Sequence, residues 1–133
     1  MTKDSEELNF PDNIGYTPDH IWIKQEEDRY TSGITDFAQD QLGEIIYMDL
    51  PEIGDFFEAE EVFCIVESMK TIFELFMPIS GEILAVHNSL EDEPEIINQD
   101  PYGKGWLIKI KLSDITEIQQ LLTAETYAQN ETK

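Results

Sequence analysis

Glu61-Val62-Phe63-Cys64-Ile65-Val66-Glu67-Ser68-Met69-Lys70-Thr71-Ile72-Phe73-Glu74-Leu75-Phe76-Met77-Pro78 reads as strand, tight turn and returning strand, with Ser68 to Thr71 as the turn and Lys70 at its tip. Mirror-image hairpin turns want Gly or Asn at their centre. Met69-Lys70 offers neither, so the neighbouring strands must hold the turn. A lysine amine so placed is displayed on a rigid hairpin, where another enzyme can engulf it without unfolding the domain. By composition alone, a lone Lys in a polar turn is simply a solvated charge. An exposed Met beside it is out of place for mere solubility.

Outward from the hairpin, short β-rich runs alternate with turn chemistry. Residues 45–50 precede Pro51-Glu52-Ile53-Gly54 and Phe56-Phe57; residues 72–76 precede the turn Pro78-Ile79-Ser80-Gly81, then residues 83–86 and 106–112. Upstream, Ile21-Trp22-Ile23 is a strand, residues 25–29 a polar turn and residues 30–34 a returning strand. Thr35 or Asp36 can cap a short helix through Leu42, with Gly43 as its stop. Residues 1–15 read as an acidic arm with order beginning near Tyr16. Ile115, Ile118, Leu121 and Leu122 recur at helical spacing, which predicts a C-terminal helix over 114–128 and a tail at 129–133. One-faced strands must bury their apolar sides against another sheet, so residues 16–128 form a mainly β barrel or sandwich. Its core is expected around Trp22, Ile34, Ile46, Val62, Ile65, Ile83, Ile108 and Leu121. Weak self-similarity around Ile53-Gly54-Asp55 and Ile79-Ser80-Gly81-Glu82 does not amount to a solenoid.

A chain of 133 residues with 41% hydrophobic residues can bury one core without staples. Eight Lys and Arg against 29 Asp and Glu give a net charge of -21, which repels nucleic acid and anionic membrane and favours basic partner surfaces. That charge serves solubility or steering equally well. Cys64 is the single cysteine, so no intramolecular disulfide forms and a reducing compartment is expected. No signal core, Arg-rich leader or membrane-length apolar run is legible, and the expectation is a cytoplasmic protein. No nucleophile elbow, phosphate loop or metal motif appears. His20 and His87 lie far apart in sequence, His20 suits rim packing, and Cys64 reads as a core strand residue. Asp36, Glu67 and Glu74 can be recast as a carboxylate site, although acidic strand-rich surfaces produce such sets by chance. A purely structural domain would leave Lys70 unmodified.

Glu67-Ser68-Met69-Lys70, with Gly33-Ile34-Thr35-Asp36, Ala38-Gln39, Leu42-Gly43, Leu50-Pro51 and Gly54 upstream, resembles the H protein of the glycine cleavage system. The likeness continues in Pro78-Ile79-Ser80-Gly81-Glu82, Asn88-Ser89-Leu90, Pro94, Asn98, Asp100-Pro101-Tyr102-Gly103 and Gly105-Trp106-Leu107. It runs from Tyr16-Thr17-Pro18-Asp19-His20 to the C-terminal helix. The resemblance implies a flattened barrel-sandwich of two antiparallel sheets, the biotinyl/lipoyl fold, with lipoate in amide linkage to Lys70. Glu67, Ser68, Met69 and Thr71 supply the hairpin context. It also implies a monomeric carrier, not an enzyme. A lipoate-attaching enzyme loads it, and its dithiolane arm takes an aminomethyl group from the pyridoxal-phosphate enzyme glycine decarboxylase. The arm delivers that group to a tetrahydrofolate-dependent aminomethyltransferase and is reoxidised by the flavin-containing dihydrolipoamide dehydrogenase. Glu67 either helps the lipoylating enzyme engage the hairpin or is simply a solvated acid.

The sequence departs from the family pattern after the lysine, where Thr71-Ile72-Phe73-Glu74 stands in place of Ala-Ala-Ser-Asp or a close variant. That puts a more apolar surface beside the arm and leaves open a paralogous lipoyl carrier serving another pathway such as sulfur oxidation. Met69-Lys70 also resembles half of a biotin-carrier signature, whose lysine lies between two methionines.

Overall fold

A computed structural model describes residues 8–132. The two strands that flank Lys70 are β6 (Val62–Ser68) and β7 (Ile72–Phe76), and they pair with β4 (Ile45–Asp49) in a three-stranded sheet ordered β4-β6-β7. A second sheet holds β1 (Gly15–Tyr16), β2 (Ile21–Glu26), β3 (Arg29–Ile34), β5 (Phe56–Phe57), β8 (Gly81–Val86) and β9 (Ile108–Leu112). Its order is β1-β2-β3-β9-β8-β5. Every pairing is antiparallel. The inward faces meet in one apolar cluster that joins Ile23, Ile83, Ile108 and Ile110 to Met48, Cys64, Val66 and Leu75. Mainly β with two antiparallel sheets, the fold is the one expected.

The internal helix α1 (Asp36–Leu42) follows its sequence signals. Thr35 sits extended at the N-cap and its hydroxyl accepts from the Ala38 amide, while Gly43, at φ +76°, ends the helix by donating to the Gln39 carbonyl. Polar residues 25–29 are less of a turn than expected: β2 runs to Glu26 and β3 starts at Arg29, leaving two residues between them. A short helix α2 (Glu95–Gln99) and a 3-10 turn at Asn88–Glu91 fill the stretch before β9.

The C-terminal helix differs in extent from the expected 114–128. Residues Ile115–Gln120 form a 3-10 turn, Leu121 is extended, and Leu122 exchanges both backbone hydrogen bonds with Tyr16 at 2.7 and 2.9 Å. Thr123 then caps a separate helix α3 (Ala124–Glu131). Pairing with β1 outcompetes continuation of a helix whose β-branched Ile115, Thr116 and Ile118 favour it weakly. Of the segment read as an acidic arm, residues 1–7 lie outside the described residues. Residues 8–15 pack down: Leu8 is buried, Phe10 and Ile14 lie against Tyr16, Trp22 and Tyr127, and the Asn9 amide donates to Asp36.

Core assignment is right for Trp22, Ile34, Ile83 and Ile108, all buried. Val62 and Leu121 are half-buried, and Ile46 and Ile65 face outward at 51% and 38% exposure. Ile46 alternates outward from buried Ile45 and sits at a register irregularity between Ile45 and Tyr47, while one between Val62 and Cys64 resets the face of Ile65 that follows it. Ile45, Met48, Cys64 and Val66 take the inward places instead.

Candidate functional site

Ser68 is the structural centre of the hairpin tip. Its amide donates to the Thr71 carbonyl at 2.8 Å, and its hydroxyl oxygen accepts from the amides of Lys70 and Thr71, each at 3.2 Å. The hydroxyl's own proton points to the Thr71 carbonyl at 3.3 Å. Neither Met69 nor Lys70 adopts positive φ. The turn therefore avoids the mirror-image geometry that would require glycine, and a side chain from the strand end supplies the missing backbone partners.

The chain before β4 supplies the second support. The Met69 amide donates to the Glu44 carbonyl at 3.0 Å, which pins the tip to the loop that leaves α1. Asn98 of α2 holds that loop in turn. Its amide nitrogen donates to the carbonyl of Gly43 at 2.7 Å and to Gln39 Oε1 at 3.0 Å, and its oxygen accepts from the Ile45 amide at 3.1 Å. Gly43 must be glycine for two reasons. Its φ is left-handed, and a Cβ there would stand 3.3 Å from Lys70 Cε, against which the lysine stem passes.

Lys70 itself is exposed, and its Nζ makes no hydrogen bond or ion pair among the described residues. It borders an open groove of about 430 Å³ lined by Gln39, Gly43, Glu44, Glu95, Asn98 and Gln99 together with Asp40. Met69 beside it is 69% exposed. Thr71 is exposed and its hydroxyl turns back to the Ile72 carbonyl; Glu67 is half-buried on β6, opposite Tyr47 and Ile72. All five residues singled out in the sequence thus meet at one tip.

The other candidates do not join them. Asp36 is buried at the start of α1, accepting from Asn9 N and Gln39 Nε2, and shares no site with Glu67 or Glu74. No group of His, Cys, Asp and Glu with the arrangement of a metal site occurs among the described residues. Cys64 is buried on β6 and burial pushes its thiol up to about 12, so it is an inert core residue. His20 packs at the rim, with Nδ1 2.7 Å from the Tyr127 hydroxyl.

Comparison with known proteins matches the chain to a known family. Residues 14–133 match the family model of the glycine cleavage H-protein. A glycine cleavage system H protein of Bacteroides thetaiotaomicron is 50% identical over 120 residues, 90% of this chain and 95% of the relative. One from Bacillus cereus is 45% identical over 122 residues, covering 92% and 96%. The crystal structure of a glycine cleavage system H protein from Mycobacterium marinum superposes with a TM-score of 0.80 at 36% identity, covering 90% of this chain and 96% of that one. The chain belongs to the glycine cleavage H-protein family.

Three residues that carried the resemblance without a role of their own have one in the structure. Gln39, Gly43 and Asn98 form the brace under the tip. Their signal in the sequence was present as matched positions, but the reason lay in a contact across 55 residues between Asn98 and Gly43 that no local pattern encodes.

Proposed function

We propose that Lys70 Nζ carries a lipoyl group in amide linkage, and that the protein thereby serves as the lipoyl carrier of the glycine cleavage system. The observation that carries this reading is the tip itself: an exposed lysine on a short turn braced from both sides. Lys70 fits the group because it is exposed, its Nζ has no competing partner among the described residues, and its stem is guided past Gly43 beside an open groove. When bound, the group supplies a dithiolane that accepts an aminomethyl unit and yields it to the next enzyme. The chain's own residues do the rest. Ser68 and Glu44 fix the turn, and Asn98 fixes Glu44's loop.

The chain is thus a substrate of its partners, not a catalyst. Those partners are a lipoate-attaching enzyme, glycine decarboxylase, aminomethyltransferase and dihydrolipoamide dehydrogenase. Tethering gives the carried group a high effective concentration at each successive site. The relatives named above are all glycine cleavage system H proteins, which favours this pathway over a paralogous carrier despite Ile72 and Phe73. No helix among the described residues is long and apolar enough to cross a membrane, and a single buried cysteine suits a reducing cytoplasm.

The test is glycine-dependent carbon dioxide exchange by a purified glycine decarboxylase, supplied with this protein after lipoylation. Strong stimulation that disappears with Lys70→Ala is expected. Exchange at background with a fully lipoylated protein would move the carrier to another pathway.

A further inference from the structure

The two outer faces of the sandwich differ in charge: one mixes cations with Glu26, opposite Arg29, and Glu82, opposite Lys111, while the other holds acids alone. On the six-stranded sheet, Lys24, Thr31 and Lys109 share one cross-strand row, and Arg29 and Lys111 stand two residues away on the same face. These four cations are half of the chain's eight basic residues. On the three-stranded sheet, β4, β6 and β7 contain no Lys or Arg. Their outward positions form two rows: Tyr47, Glu67 and Ile72, then Asp49, Ile65 and Glu74.

That face departs from the alternation common in a sheet with one side in water, where outward places are mostly polar. Tyr47 is 50% and Ile72 65% exposed on either side of Glu67, and Ile65, 38% exposed, stands in the next row between Asp49 and Glu74. Aromatic and aliphatic side chains set among carboxylates are the composition of an interface with apolar anchors and a charged rim. The patch is continuous with the tip, since Glu67 and Ile72 immediately flank the turn.

We infer that this face is the landing surface of the lipoate-attaching enzyme, whose matching surface is basic around an apolar centre. The inference rests on Lys70 being the attachment site. Amide formation brings Nζ itself to the acyl carbon of an activated lipoate such as its adenylate. The new C–N bond forms, the bond to the leaving adenylyl group breaks, and Nζ gives up a proton. The attaching enzyme must therefore cover the tip and the strands that rise to it, whereas enzymes acting at the far end of a loaded arm can stand off. One side of the tip is already taken by Gly43 and Glu44 of the chain itself. The outward face of β4, β6 and β7 is the sheet surface that runs directly up to the tip and carries the exposed apolar anchors.

The experiment measures initial rates of lipoylation by a purified lipoate–protein ligase with lipoate and ATP, read by intact mass over a range of carrier concentrations. Two pairs are compared with the wild type: Asp49→Lys with Glu74→Lys, and Ile65→Ser with Ile72→Ser. All four positions are exposed, so folding is expected to survive, and each pair is read independently. A control pair, Glu58→Lys with Glu125→Lys, makes the same charge change elsewhere. Each face pair is expected to raise KM about tenfold or more with kcat little changed, and the control to stay near wild type. The defect of the charge pair is expected to shrink with salt, as the wild type's own advantage does. Wild-type kinetics in both face pairs, with the lipoyl group still on Lys70, would overturn the landing surface alone. Loading of Lys70→Ala would overturn the reading on which it rests.

Discussion

Ser68 does at the tip what glycine does in most two-residue hairpins, by a different route. Its hydroxyl occupies the amides of Lys70 and Thr71, and without it both must turn to water. Ser68→Ala is therefore expected to cost about 1 kcal/mol of global stability, measured by urea unfolding. Hydrogen exchange at the amides of residues 70 and 71 is expected to quicken more than elsewhere; unchanged exchange there would refute the role. The turn's reliance on neighbours was legible from the absence of Gly and Asn at Met69-Lys70, but the identity of the helper was not. Residue-by-residue burial failed for a related reason. Ile46 and Ile65 have core composition, yet the first sits at a one-residue irregularity and the second just after one, and nothing in Ile45-Ile46-Tyr47 or Val62-Phe63-Cys64 marks where the bulge falls.

Elements announced by local signals came through the sequence well. Thr35 and Gly43 bracket α1 because caps are local chemistry, and alternating runs gave the central strands because burial on one face has a period of two. Elements decided by distant partners did not. Leu122 leaves its helical pattern to pair with Tyr16, and α2 exists to present Asn98 to the loop after α1. Asn98→Ala would strip partners from the Gly43 carbonyl and the Ile45 amide, at an expected cost of about 1–3 kcal/mol in chemical unfolding. Because that loop pins Met69, the same variant is expected to load lipoate more slowly than wild type under conditions where it is fully folded. Equal stability and equal loading would show that α2 is mere packing.

Across the whole molecule, one network joins three elements remote in sequence. His20, which precedes β2, meets the Tyr127 hydroxyl of α3, and that hydroxyl meets Thr35 at the cap of α1, each at 2.7 Å. Desolvation lowers the His20 pKa from its ordinary 6.5, with Glu131 and Asp19 opposing the shift in part. The unfolded chain then binds more protons than the folded one below that value, so His20's contribution is present above pH 6.5 and lost as pH falls below it. Carboxylates titrate too, so the comparison is with His20→Asn, which tolerates the left-handed φ of 70° at this position. The stability difference between wild type and variant is expected to narrow between about pH 7 and pH 5; a difference flat across that range would contradict the assignment.

The proposed function converges on one atom, Lys70 Nζ. The most direct test is to incubate the protein with lipoate, ATP and a lipoate–protein ligase, digest it, and map the added mass to a peptide. A single lipoyl group on Lys70, and none on Lys70→Ala, is the expected result; a lipoyl group on any other lysine, or none on the folded wild-type protein, would contradict it.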